Sequence, residues 1–346
     1  MELSKQELEY PQKLLNYMDG FLISKTMFTA CELGVFDLLE NGEALSSKAV
    51  AERLGTSADG MDRLLTACVG LQLLQVKGHQ GEVLYSNTDL SQIYLTKASP
   101  RTLYYSMAYY SQTIYHCFAF LNDAVREGKN QYERAFGISP QELFESLYRS
   151  EEEMLKFMQL MNSIWNICGK AVVMAFDLSI FTNIIDLGGC TGAIAKECNS
   201  AYPQSRVTIY DLPKVLEMTR KHFVPPDERR IAFHEGDFFK DPIPDADLYI
   251  LARIIHDWTE DKCLKLLSRV NKACKPGSGV LLIEALLNED RSGPVTAQLY
   301  SLNMLVQTEG KERMASEYIS LLESAGFKDV QVQRTGKIYD VILGRK

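Results

Sequence analysis

The 346-residue sequence predicts an α/β fold: an open, mostly parallel sheet that closes on an antiparallel hairpin, preceded by a mainly helical, winged-helix-like region. Three observations carry this. Residues 182–192 run from an apolar stretch into an acid and a glycine-rich turn, and the helix-like Ala193–Ser200 follows. Such a strand, turn and helix start brings backbone N–H groups close to a nucleotide-like ligand. Three further apolar runs then end in polar or glycine residues: Arg206–Tyr210 at Asp211, Ile231–Glu235 at Gly236-Asp237-Phe238, and Ala246–Leu251 before Arg253 and His256-Asp257-Trp258. Ligands of open parallel sheets bind beyond the carboxyl ends of the strands, so one crevice is expected to collect all four ends. Finally, Lys328–Arg334 and Ile338–Gly344 flank Thr335-Gly336-Lys337, which reads as a terminal hairpin.

From the N-terminus, apolar residues recur at helical spacing, first Leu14, Leu15, Met18, Phe21 and Leu22, then Phe28, Cys31, Val35, Leu38 and Leu39. This apolar surface exceeds what one thin helical layer hides, so it is expected to build a homodimer. Residues 46–55 and 57–74 read as a helix–turn–helix, with Ser47 or Ser57 as N-caps and Gly55 closing the first helix. Leu74–Val76 and Val83–Ser86 then pair as a hairpin, the wing. A winged helix invites a DNA-binding reading, but Ala44–Gly78 carries four basic residues against three acidic ones, too little positive charge for a duplex. Residues 100–170 are aromatic-rich helices, mostly core, with a minority expected to face a flat ligand. The domain reading is therefore 1–100 for dimerisation, 101–178 as a helical segment contributing to a substrate pocket, and 179–346 for the cofactor.

Composition narrows the function classes. The net charge of −8 argues against nucleic acid as a partner, and 46% hydrophobic residues suit a large core. No apolar run approaches the roughly 20 residues needed to span a bilayer, and the N-terminus lacks an apolar signal core, so the expected compartment is the cytoplasm and no membrane partner is expected. The eight cysteines form no Cys-x-x-Cys pair, and the five histidines form no zinc-type cluster, so neither disulfides nor a metal are implied.

In order along the chain, Asp186-Leu-Gly-Gly-Cys-Thr-Gly192, Tyr210-Asp211-Leu-Pro213, Glu235-Gly-Asp-Phe-Phe239, His256-Asp257-Trp258, Lys275-Pro-Gly-Ser-Gly279 and Gly310-Lys-Glu-Arg313 resemble the motifs of small-molecule O-methyltransferases with a dimerising N-terminal domain. That group includes the plant caffeic-acid-type enzymes, and the resemblance covers nearly the whole chain. Glu32–Leu39, Asp123–Gly128 and Asn303–Glu309 are similar to its animal members that methylate hydroxyindoles. The resemblance implies a seven-stranded class I methyltransferase (Rossmann-like) sheet, S-adenosyl-L-methionine as cofactor and a small hydroxyindole as substrate. It implies that Gly188 and its loop hold the methionine end of the cofactor, Asp211 the ribose hydroxyls and Gly236, Asp237 and Phe238 the adenine region, with Tyr148, Trp165 and Arg253 also in contact. The residue types suit these roles, since a carboxylate matches a diol, an aromatic covers adenine and a cation pairs with a carboxylate.

A phenol-like hydroxyl, with a pKa near ~10, is a poor nucleophile until deprotonated. An imidazole, titrating near ~6.5, can accept that proton, and His256 stands at the strand-end crevice. Glu284 and Glu312 match the family's two acids that orient this base. Asp257 is assigned to the substrate, because adjacent helical residues do not face each other. Asn303 and Gln307, four apart on one helix face, suit the amide of an N-acetyl side chain. A histidine base makes a metal unnecessary. Cys190 stands where the family's loop usually has glycine; with Gly188, Gly189 and Gly192 around it, the loop is expected to accept a side chain there without requiring positive φ. Two other readings stay open: a nicotinamide-dependent oxidoreductase, disfavoured by the terminal hairpin, and a catalytically silent protein of this fold, disfavoured by His256 with both glutamates.

Overall fold

The computed structural model describes residues 10–79, 82–137, 148 and 150–346. The chain divides into two compact units, Met1–Gln112 and Thr113–Lys346.

In the first unit, helix α1 (Gln12–Leu33) ends at Gly34, which takes the left-handed conformation at φ 81°. Its C-terminal half is core, with Phe28, Ala30 and Cys31 buried. Its N-terminal half leaves Leu14, Tyr17, Met18, Phe21 and Leu22 more than half exposed. The helix–turn–helix is α2 (Ser47–Leu54) and α3 (Ala58–Gly70). Gly55 closes α2 at φ 65°, and Ser57 caps α3, both as expected. The first cap is Ser46 rather than Ser47: its Oγ accepts from the Ala49 N–H at 3.4 Å, so Ser47 is already the first helical residue. The wing is the antiparallel pair β1 (Leu74–His79) and β2 (Glu82–Asn87). Val50 and Ala51 of α2, Met61, Leu65 and Cys68 of α3, and Leu74 and Tyr85 of the wing share one buried cluster with Cys31, Val35, Phe36 and Leu39.

The second unit is built on a seven-stranded sheet ordered β5-β4-β3-β6-β7-β9-β8. Strands β3 (Asn183–Leu187), β4 (Arg206–Asp211), β5 (Ile231–Glu235), β6 (Leu248–Ala252) and β7 (Gly279–Glu284) run parallel. The last two, β8 (Lys328–Gln333) and β9 (Asp340–Arg345), form the antiparallel hairpin, with β9 inserted beside β7. Strand β7 is buried along its whole length, as a central strand covered on both faces must be. The helices that bear on the site are α4 (Glu151–Val173), α5 (Ala193–Ala201), α6 (Pro213–His222), α7 (Glu260–Ala273), α8 (Val295–Gln307) and α9 (Ala315–Ser324). The strand order reverses at β3, where β4 lies to one side and β6 to the other. A crevice opens beyond the strand ends at such a switch point. No helix among the described residues is long and apolar enough to cross a membrane.

Candidate active site

A cavity of about 310 Å³ lies at that switch point. Tyr148, Trp165, Gly188, Asp211, Gly236, Asp237, Phe238, Arg253 and Asp257 all line it, so the structure gathers in one place residues that span more than a hundred positions of chain. Backbone approaches the cavity closely where glycine permits. A Cβ on Gly188, at φ +71°, would stand 2.6 Å from Ile254 Cδ1, and one on Gly236 would stand 2.2 Å from the Tyr210 hydroxyl.

Cys190 corrects an expectation. The loop does accept its side chain, but at φ 48°, in the left-handed region that the neighbouring glycines were expected to spare it. Two contacts hold it there: its N–H donates to Asp211 Oδ2 at 2.9 Å, and its carbonyl accepts from the Thr219 hydroxyl at 2.6 Å. Its side chain packs among Met154, Met158, Val215 and Met218. Cys190→Gly relieves roughly 1 kcal/mol of left-handed strain and keeps both backbone bonds, but it loses the side-chain packing and adds unfolded-state freedom of similar size. Cofactor affinity in a calorimetric titration with S-adenosylhomocysteine is therefore expected to change less than about threefold; a tenfold gain would show that strain dominates.

The acids at the strand ends are electrostatically costly. Burial, followed by the nearby Asp211, pushes Asp186 up to about 7, and burial pushes Asp211 up to about 6 despite N–H bonds from Cys190 and Leu212. Asp186 Oδ2 has no hydrogen-bond partner among the described residues; it lies 2.7 Å from where a Gly189 Cβ would stand. Two N–H bonds leave Asp211 further lone pairs for a diol. Arg253, at φ 59°, places its guanidinium over Tyr339 at 5.4 Å and donates to Met161 Sδ at 2.9 Å. A carboxylate, a cation, and an aromatic and thioether wall around one cavity fit a ligand that joins a nucleoside to an amino acid.

Beyond β6 the chain makes a single 3₁₀ turn, Ile255–Asp257, which carries His256. The imidazole is 3% exposed. Its Nδ1–H donates to Glu312 Oε1 at 2.8 Å, the carboxylate oxygen being the acceptor. This leaves Nε2 as the lone-pair nitrogen of the neutral ring. Glu284 acts differently from Glu312: its Oε1 accepts from the Ile255 N–H at 2.9 Å and the His256 N–H at 3.4 Å, while its Oε2 lies 3.7 Å from Nδ1. One acid thus holds the ring and the other the backbone of the turn. Asp257 departs from the helical argument. In this tight turn its Oδ1 comes within 3.6 Å of His256 Nε2, because a 3₁₀ turn does not space neighbours as an α-helix does.

Burial pulls the His256 pKa down, but Glu312, Glu284 and Asp257 outweigh it and raise the imidazole to about 9, well above the ordinary value near 6.5. Burial raises Glu284 to about 7 and also raises Asp257. Donor atoms of His256, Glu284 and Glu312 lie within 4.8 Å of one another, a spacing a metal ion can use, yet Nδ1 is already engaged by Glu312 in a hydrogen bond.

Asn303 and Gln307 are not among the residues lining the cavity. Gln307 Nε2 donates to Asn303 Oδ1 at 2.5 Å, and Gln307 Oε1 accepts from the Tyr132 hydroxyl at 3.4 Å. Sequence reasoning left Phe157 undecided between core and ligand, and missed Met161, Lys262 and Glu309 in the lining. The first two sit in an apolar helical stripe that looks the same whether it faces core or ligand.

Residues 118–328 match the O-methyltransferase domain family, and residues 15–97 match the O-methyltransferase dimerisation domain. The chain is 64% identical to acetylserotonin O-methyltransferase of Gallus gallus, over 99% of each chain. It is 52% identical to the Homo sapiens protein of the same name, over 96% of this chain and 97% of that one. Among solved structures, human N-acetylserotonin methyltransferase in complex with SAM superposes with a TM-score of 0.96 at 51% identity, covering 99% of both chains.

Proposed function

This chain belongs to the O-methyltransferase family that carries an N-terminal dimerisation domain, and we propose that it methylates the hydroxyl of N-acetylserotonin, giving melatonin, with S-adenosyl-L-methionine as donor and His256 as general base. The observation that carries the reading is the buried His256–Glu312 pair set beside the cavity at the sheet's switch point. When bound, the cofactor supplies a methyl group on a positively charged sulfur, open to in-line displacement by an oxygen.

The chain's own residues do the rest. Asp211 holds the ribose diol; Gly236, Asp237 and Phe238 hold the adenine region; and Gly188, Arg253, Tyr148 and Trp165 hold the remainder of the cofactor. Glu312 keeps the proton on Nδ1, so Nε2, on the side of the cavity-lining Asp257, takes the hydroxyl proton of the substrate. The three carboxylates that raise the imidazole's pKa also stabilise the imidazolium that results. Asp257 contacts the substrate near Nε2. Asn303 and Gln307 exchange their mutual bond for the substrate's amide. Residues 179–346 serve the cofactor, helices within 101–178 such as α4 serve the pocket wall, and 1–100 serves dimerisation. The cysteines, seven buried and Cys190 half-buried, sit as reduced thiols do, which suits the cytoplasm.

With S-adenosyl-L-methionine and a panel of hydroxyindoles and catechols, mass analysis is expected to show one added methyl on the oxygen of N-acetylserotonin. Methylation of catechols alone would overturn the substrate and leave the reaction class. The exposed apolar half of α1 supports a homodimer. Light scattering at micromolar concentration is expected to show twice the chain mass; a 39.1 kDa species alone would exclude it.

A further inference from the structure

We propose that Arg313 is a positioning residue for this reaction: its guanidinium clamps the carbonyls on both sides of His256 and so aims Nε2 at the cavity. The inference rests on His256 being the base. Nη1 donates to the Ile255 carbonyl at 3.1 Å, and Nη2 donates to the Trp258 carbonyl at 2.9 Å. The two acceptors bracket the turn that carries the imidazole.

Three features mark this as more than packing. Arg313 is 2% exposed, and a buried cation ordinarily pairs with a carboxylate, since desolvating it alone is costly. Its backbone hydrogen bonds go to three carbonyls, the third being that of Lys311 at 3.3 Å, while the Tyr318 and Cys263 side chains also face it and the charge of Glu284 acts on it. Second, a lone 3₁₀ turn has too few internal bonds to hold its own geometry. Glu284 takes the Ile255 and His256 N–H groups, and Arg313, alongside the Cys263 thiol, takes the carbonyls of Ile255 and of Trp258 just past the turn, so the turn is held from both ends of its peptide dipoles. Third, Arg313 adjoins Glu312 in sequence, so one segment fixes the ring of His256 through one residue and its backbone through the next. That segment is itself anchored beyond β7, where the Leu287 N–H donates to the Arg313 carbonyl at 3.0 Å. A displacement of about 1 Å at a reacting group can lower a rate by about 10²-fold.

The test is a double-mutant cycle. Arg313→Lys and Arg313→Met are made alone and on a His256→Ala background, and kcat, KM and calorimetric affinity for S-adenosylhomocysteine are measured for each. Arg313→Met is expected to lower kcat about 10–100-fold, with KM and S-adenosylhomocysteine affinity within about twofold. Arg313→Lys, which keeps the charge and reaches one carbonyl, is expected to restore part of that loss, and it carries the test if the methionine variant does not fold. On the His256→Ala background neither change is expected to lower the residual rate further, because the residue acts through the imidazole. An equal loss on both backgrounds, or weaker cofactor binding with kcat intact, would overturn the proposal. Failure of the base assignment is separately visible, as His256→Ala with unchanged kcat.

Discussion

His256→Ala is expected to lower kcat by ~10²–10⁴-fold, the usual contribution of a positioned general base, while affinity for S-adenosylhomocysteine stays within about twofold. The separation follows from the structure: the imidazole is buried behind the cavity wall and bonds Glu312, whereas the residues proposed to hold the cofactor line the cavity itself. The pH profile gives a second reading of the same residue. A base raised to about 9 is neutral only above that pH, so kcat/KM should climb through an apparent pKa near 9 rather than near the ordinary imidazole value. Glu312→Gln removes the carboxylate that most raises the imidazole, so the climb should move to lower pH. Its cost in kcat should be smaller than that of His256→Ala, since the imidazole remains. A climb near 6.5 in the unaltered protein would show that the carboxylates do not act on His256 as the geometry requires.

Gly310→Ala is expected to reduce turnover at least as severely. A Cβ at this position would lie 2.0 Å from the His256 carbonyl oxygen, 2.6 Å from the Trp258 nitrogen and 2.7 Å from the Asp257 carbonyl carbon. All three are backbone atoms of the base-bearing turn and its exit, so no flexible side chain can yield. Either the 309–314 segment withdraws, taking Glu312 with it, or the turn shifts. Overpacking of this kind costs roughly 1–3 kcal/mol or more, so thermal melting should show a clear drop beside the lost kcat. Gly70→Ala is the control: at the end of α3 the added methyl meets nothing within 4 Å, so turnover should be unchanged and melting unchanged or slightly raised. An active, stable Gly310→Ala enzyme would mean that the turn is not pinned as described.

The parallel strands, the switch-point crevice and the terminal hairpin were legible because each depends on local pattern: an apolar run, the polar residue that ends it, and a turn. The glycine loop was legible for the same reason, up to the conformation of Cys190. Its positive φ is imposed by Asp211 and Thr219, which lie some 20 to 30 residues away and leave no local signature. The Ser46 cap escaped because adjacent serines offer the same chemistry and only the backbone decides between them. The approach of Asp257 to Nε2 depended on the turn being 3₁₀, a distinction three residues of sequence cannot carry. The mutual bond of Asn303 and Gln307 follows from the helical spacing that placed them together, but spacing cannot say whether two amides face a ligand or each other. The basicity of His256 is the least local property of all, since Glu312 and Glu284 reach it from other strands and loops.

The buried acids and the imidazole share a consequence for the protein as a whole. Asp186 rises from 3.8 to about 7, Asp211 from 3.8 to about 6 and His256 from 6.5 to about 9, so each binds its proton more tightly folded than unfolded. At these three groups the folded chain therefore holds more protons than the unfolded one between about pH 4 and pH 9, and they make stability fall as pH rises through that window. Deprotonating His256 is also what arms it as a base. At this one group catalytic readiness and resistance to unfolding run in opposite directions along the pH axis: the proton that His256 must give up to act as a base is one that the fold binds more tightly than the unfolded chain does.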